Sequence, residues 1–221
     1  MKRPQENLKI LTWNINGAKT KLEKRNVETW ICQYDIVSLN EIKTDLKVSL
    51  PGYTEYRNIK ENSAHRGGTV VFVKNYLSQY VSSVDTSIDD QVWLALKCMP
   101  STLFGFCYIP PSDSPYFSHY SFAAIHEKIA DNENASKFLI MGDMNTRFGS
   151  SVRDVIDNEY FVPQVYSYPT IPDDINTPND NAYTLSTICK DNQLLVINNL
   201  KTDSNYFAGG KSYKKKGCMG V

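Results

Sequence analysis

The chain has 221 residues, 41% of them hydrophobic and 22% charged, with Lys plus Arg matching Asp plus Glu at 24 each. That suits one globular domain over residues 1–221 with a sizeable core, and a balanced charge excludes a partner attracted by the field of the whole chain, so any polyanion would need a local patch. No stretch reaches the ~20 apolar residues that span a bilayer, and the opening MKRPQENLKI lacks the apolar run of a secretory signal; the sequence reads as nuclear or cytoplasmic, not secreted.

In chain order, the first strand is predicted at Leu8–Asn14. Val27, Trp30, Ile31 and Tyr34 then repeat at i, i+3, i+4 and i+7 and give a helix an apolar stripe. Short runs rich in β-branched, Leu and aromatic residues predict strands at Ile36–Glu41, Gly68–Lys74, Val92–Cys98 and Leu103–Ile109. A helix fits Phe117–Ala130, a strand follows at Phe138–Gly142, and the segment 157–181, with four prolines among many Asp and Asn, reads as a long surface loop. A last helix fits Tyr183–Lys190, capped by Asn179 or Asn181 and stopped at Asp191-Asn192, before a strand at Leu194–Asn198. Strands alternating with helices mark an α/β protein, equally a doubly wound parallel sheet or a sandwich of mixed sheets. The five cysteines (Cys32, Cys98, Cys107, Cys189, Cys218) are scattered and never form a C-x-x-C pair, so they read as reduced thiols rather than zinc ligands.

Three strand ends turn polar in the same manner. LTWNING closes with Asn14 and Asn16, IVSLNEIKT with Asn40 and Glu41, and LIMGDMNTR with Asp143 and Asn145. Singly, each amide is a turn former bonding its own backbone and each acid a surface group. Side chains beyond strand ends of an α/β sheet can converge on one crevice, however, and together these make a set of hard oxygen donors without Cys or His. Such a set suits Mg²⁺ or Mn²⁺ completed by water and a phosphate, with one acid holding the metal and the other aligning or deprotonating a water.

TWNINGA, SLNEIKT, RGGTVVFVK, YIPPSDSPYF and GDMNTRFG, in that order, resemble the endonuclease/exonuclease/phosphatase superfamily from about residue 8 to the end. Within it the chain is most similar to the apurinic-endonuclease-like domain of non-LTR retrotransposons, which nicks target DNA to prime reverse transcription. The resemblance implies a two-layer mixed β-sandwich flanked by helices and a Mg²⁺- or Mn²⁺-dependent phosphodiesterase acting on DNA, with a reverse transcriptase in a longer parent polypeptide. Apurinic DNA, RNA or a phosphoinositide as substrate, and a relic that only binds nucleic acid, stand as alternatives. By the same resemblance Glu41 is the direct metal ligand with Asn14 and Asn16 beside it, Tyr108 contacts the scissile phosphate, and Asp143 and Asn145 orient and activate the attacking water. Arg147 neutralises phosphate charge or pairs with a neighbouring acid, and Lys214, Lys215 and Lys216 track a DNA backbone or form a solvated tail.

Two departures from the family pattern stand out. Pro111 occupies a place where many relatives have Asn, and the pattern's closing Asp strand and Ser-Asp-His motif have no counterpart, so the sequence reads as C-terminally truncated. The three histidines, His65, His119 and His126, fall where a packing or solvent role is ordinary. KKKGCMGV has the form of a prenylation signal, but Gly220 is not aliphatic and Val221 is an uncommon last residue, and an accident of the expected truncation explains it better.

Overall fold

The computed structural model describes residues 8–22, 25–43, 48–58, 67–132, 135–147, 178–194, 200–201 and 207–208. It divides into two compact units, Met1–Asn145 and Thr146–Val221.

The first unit holds two mixed four-stranded sheets. In one, β1 (Ile10–Asn14) lies parallel to β2 (Ile36–Asn40), which pairs antiparallel with β4 (Thr69–Lys74), and β4 with the edge strand β3 (Tyr53–Asn58). In the other, β5 (Val81–Asp85), β6 (Gln91–Leu96) and β7 (Met99–Tyr108) run antiparallel, and β8 (Lys137–Asp143) lies parallel to β7. A parallel pair needs a crossover, and helices supply it here. α1 (Lys19–Leu22) and α2 (Arg25–Ile31) link β1 to β2; α4 (Tyr120–Ala130) links β7 to β8; α3 (Asn75–Ser78) is a single turn after β4.

Alternation along the inner strands sorts two cores. From β2 and β4, Ile36, Val71 and Val73 meet Val92, Leu94, Leu96, Phe104 and Phe106 between the sheets. On the opposite face Val37, Leu39, Val70 and Phe72 pack beneath Val27 and Ile31 of α2. Both faces of β2 and β4 are thus buried, which is why these strands read as mostly apolar rather than alternating runs. α4 is docked on the outer face of the second sheet through Gln91, whose Nε2 donates to the Ser121 carbonyl (2.7 Å) while its Oε1 accepts from the Trp93 indole (2.9 Å).

The second unit contains α5 (Asp180–Asp191) and a two-residue antiparallel pair, β9 (Leu200–Lys201) and β10 (Phe207–Ala208). Asn179 caps α5, its side chain accepting the Ala182 N–H at 3.1 Å. The helix begins three residues before the expected start, because Asp180, Asn181 and Ala182 form the first turn behind that cap. Of the expected strand Leu194–Asn198, residues 195–198 lie outside the described residues. Cys32, Cys98, Cys107 and Cys189 are free thiols. Among the described residues no helix is long and apolar enough to cross a membrane.

Candidate active site

The two parallel pairs end side by side. Asn14 closes β1 opposite Asn40 of β2, and Tyr108 closes β7 opposite Asp143 of β8. Pairing continues past the strands: Ile15 N–H donates to Asn40 O (2.9 Å), Gly17 N–H to Glu41 O (2.7 Å), and Ile109 N–H to Asp143 O (2.9 Å). Main-chain hydrogen bonds therefore carry the strand pairing through Glu41 and Asp143, and the carboxyl ends of four strands open on one place.

Asn14 stands at its centre. Its Nδ2 donates to Glu41 Oε1 and to Asp143 Oδ2, each at 2.7 Å, while its Oδ1 accepts the Asn16 N–H at 3.1 Å. An atom between two carboxylates must be the amide's donor end, so the orientation of Asn14 is dictated by its neighbours. The Tyr108 hydroxyl donates to the same Glu41 Oε1 at 3.2 Å. The other Glu41 oxygen faces the Lys43 ammonium at 2.7 Å, and Lys43 also donates to Asn16 Oδ1 at 2.7 Å. At the far side Asp143 Oδ1 accepts the Asn145 N–H (3.0 Å), and Asn145 Nδ2 donates to the Ile109 carbonyl (2.9 Å).

Burial alone would push the Glu41 carboxyl up, but hydrogen bonds from Lys43, Asn14 and Tyr108 and the charge of Lys43 outweigh it and hold the group below its usual range. Burial, followed by the charge and hydrogen bond of Glu41 and the charges of Asp143 and Asp90, pushes the Tyr108 phenol up, so it keeps its proton at neutral pH and acts as a hydrogen-bond donor. The site thus pairs an ionised acid with a protonated phenol.

Backbone strain gathers at the same place. Asn16 (φ 44°), Glu41 (53°), Lys43 (46°), Asp90 (56°) and Asn145 (47°) all adopt left-handed conformations. Asn and Asp tolerate this, but for Glu and Lys it costs roughly 1–3 kcal/mol each and persists only where the surroundings enforce it, a combination that concentrates at functional sites. Gly142 (φ 138°) precedes Asp143 for a steric reason: a Cβ there would lie 1.8 Å from the Cys107 carbonyl oxygen.

The expected residues Asn14, Asn16, Glu41, Tyr108, Asp143 and Asn145 are therefore brought together. Arg147 belongs to the second unit, where its N–H donates to Asn179 Oδ1 at 3.0 Å. Lys214, Lys215 and Lys216 lie outside the described residues, as does His65. His119 precedes α4 and stacks edge-on against Phe117, and His126 lies on the exposed side of that helix. Sequence reasoning missed Lys43 and Asp90; an i, i+2 Glu-x-Lys pair after a strand was the available signal for Lys43. Among the described residues, the groups that bond the Glu41 and Asp143 carboxylates come from Asn, Tyr and Lys, and Glu41 already faces one cation, Lys43, so these oxygens fit a hard divalent ion.

The model of the Endonuclease/Exonuclease/phosphatase family matches residues 11–189. The chain belongs to that family. Its fold is shared by an AP endonuclease from Leishmania major, LMAP, at 15% identity and a TM-score of 0.58 over 84% of this chain and 66% of that one. The 3'-5' exonuclease NExo from Neisseria meningitidis matches at 18% identity and a TM-score of 0.50 over 65% of this chain and 60% of its own. A 3' phosphatase NExo variant from Neisseria bound to product DNA hairpin matches at 20% identity and a TM-score of 0.49, over 64% of this chain and 59% of its own. The chain thus spans between 59% and 66% of the length of these structures. Against curated protein sequences it has no match.

Proposed function

We infer that this chain is a divalent-metal-dependent phosphodiesterase that hydrolyses nucleic-acid backbones. The observation that carries the reading is the Asn14 amide bridging Glu41 and Asp143 beneath a Tyr108 hydroxyl. Glu41, with Asn14 and Asn16 beside it, would hold Mg²⁺ or Mn²⁺, which when bound neutralises phosphate charge.

The protein's own groups do the rest. Asp143 accepts a proton from the attacking water; among the described residues each of its oxygens carries one hydrogen bond, from Asn14 or Asn145, which leaves a lone pair for that water. Asn145 fixes Asp143 through its backbone N–H and ties it to Ile109 through its side chain. The Tyr108 hydroxyl, protonated at neutral pH, turns from Glu41 to a phosphate oxygen. Direct attack by water fits a cluster of acids, amides and a phenol in which, among the described residues, no nucleophile–histidine pair takes part.

The run of motifs from TWNINGA to GDMNTRFG supports DNA nicking of the retrotransposon type, with a reverse transcriptase as partner in a longer polypeptide. A second reading, cleavage at apurinic sites, is favoured by the likeness to LMAP, named as an AP endonuclease. Arg147, Lys214, Lys215 and Lys216 would add phosphate attraction in either case.

Supercoiled plasmid, a plain duplex and a duplex with one abasic site, each offered with Mg²⁺ or Mn²⁺, test the proposal. Nicking of the plasmid that Asp143→Asn slows by ~10²-fold or more, with DNA retained in gel shifts, is expected. Cleavage confined to the abasic duplex would favour the second reading. No cleavage of any of the three, or equal rates in Asp143→Asn, overturns the first.

A further inference from the structure

Asp90 lies outside every motif that marks the site, yet it joins the parts that hold Tyr108. It ends the turn between β5 and β6 in a left-handed conformation (φ 56°). Its carboxylate Oδ1 accepts the Gly68 N–H at 2.7 Å. Its carbonyl accepts two further donors, the Tyr108 N–H and the Thr69 hydroxyl, both at 2.9 Å, and Thr69 in turn accepts from the buried Asn40 amide at 3.0 Å. A turn residue next to the second sheet thereby holds the start of β4 in the first.

Gly68, which it holds, is preceded by Gly67, which packs on Tyr108. Gly67 lies flat against the Tyr108 ring, so close that a Cβ there would sit 2.3 Å from Cε1. The Gly67 carbonyl accepts the Lys43 N–H (3.2 Å) and the Gly68 carbonyl the Ile42 N–H (3.4 Å), so the same pair supports the segment that follows Glu41. Asp90 thus touches Tyr108 from both sides, through its N–H directly and through its ring by way of Gly68 and Gly67.

We propose that Asp90 is a positioning residue, its carboxylate holding the Gly67–Gly68 pair so that the Tyr108 hydroxyl is aimed at the substrate phosphate beside Glu41. The kinetic part of this rests on the hydrolytic reading above; the positioning part does not. Asp90→Gly removes the carboxylate without backbone strain, since Gly adopts positive φ freely, while Asp90→Asn keeps an acceptor oxygen at the same atom.

Two measurements on the full chain separate the possibilities. In steady-state DNA cleavage, Asp90→Gly should lower kcat by about 10- to 100-fold with KM within about 2-fold, Asp90→Asn should restore most of it, and Asp90→Gly should add little to Tyr108→Phe. In ¹⁹F NMR of 3-fluorotyrosine-labelled protein, with the Tyr108 resonance assigned by its loss in Tyr108→Phe, that resonance should move or split in Asp90→Gly and return in Asp90→Asn. An unmoved Tyr108 resonance in Asp90→Gly overturns the proposal, and so does an equal loss of rate in the wild-type and Tyr108→Phe backgrounds, which marks a general structural role. If the wild-type chain cleaves nothing, the hydrolytic reading fails and the resonance still decides on Asp90.

Discussion

Glu41 uses its two oxygens differently. Oε1 accepts from both Asn14 and Tyr108, which occupies both of its lone pairs, while Oε2 faces only the Lys43 ammonium among the described partners. A divalent ion would therefore approach through Oε2, and Lys43, 39% exposed, would have to swing into solvent. Glu41→Gln should weaken Mn²⁺ binding. Lys43→Met should strengthen it by about 2- to 5-fold, the equivalent of the ~0.5–1 kcal/mol of an exposed ion pair, and less at high salt. Titration calorimetry with Mn²⁺ checks both, and unchanged affinity in Glu41→Gln would remove Glu41 from the ligand set.

At the scale of elements, the parallel junction of β7 and β8 depends on Gly142. Gly142→Ala drives a methyl group into the Cys107 carbonyl in a backbone region that L-residues avoid, so a loss of at least ~2 kcal/mol and a clear fall in Tm are expected by calorimetry. A second tie runs from β5 to α4, where the Lys128 ammonium contacts the Asp85 carboxylate. The hydrogen bond from Lys128, helped by Ser87, lowers the Asp85 pKa from 3.8 to about 2. For a depressed carboxyl the stabilisation is complete above the unfolded value and is lost as pH falls through the folded one. Urea midpoints should thus fall between pH 3.8 and about 2, and Asp85→Asn should flatten that part of the profile while lowering stability at neutral pH. Both partners are part-exposed, so the effect shrinks in salt.

Over the first unit as a whole, stability lies in the layer between the sheets. Phe104 and Phe106 of β7 are fully buried there against Val71, Val73, Val92 and Leu94. Phe106→Ala should cost ~3–5 kcal/mol in chemical denaturation, the usual loss for emptying a large aromatic site, and should also loosen Tyr108 two residues on. A loss below ~1 kcal/mol would mean that the two sheets are not packed as one core.

The sequence by itself determined the elements whose burial writes a pattern. β2 and β4, buried on both faces, were legible as apolar runs, and α2 showed as an i, i+3, i+4 stripe, because each needs that chemistry whatever its neighbours are. The edge strands β3 and β5 were not legible: Tyr53–Asn58 and Val81–Asp85 satisfy one neighbour each and have no need of an apolar run, so Glu55 and Arg57 pair with one another and Ser82 and Ser83 face solvent. β7 began four residues earlier than expected, since it starts at Met99, which pairs with Leu96, and runs through the exposed Pro100 and Ser101, where no burial writes an apolar pattern. The polar ends of β1, β2 and β8 were visible as residue types from the sequence. That Asn14 spans Glu41 and Asp143 across 129 residues of chain, that Lys43 neutralises Glu41, and that Asp90 holds the glycines behind Tyr108 was decided only by the tertiary structure. Local sequence encodes propensity and burial, whereas these contacts arise from strand register and from two sheets packed face to face, which no single segment specifies.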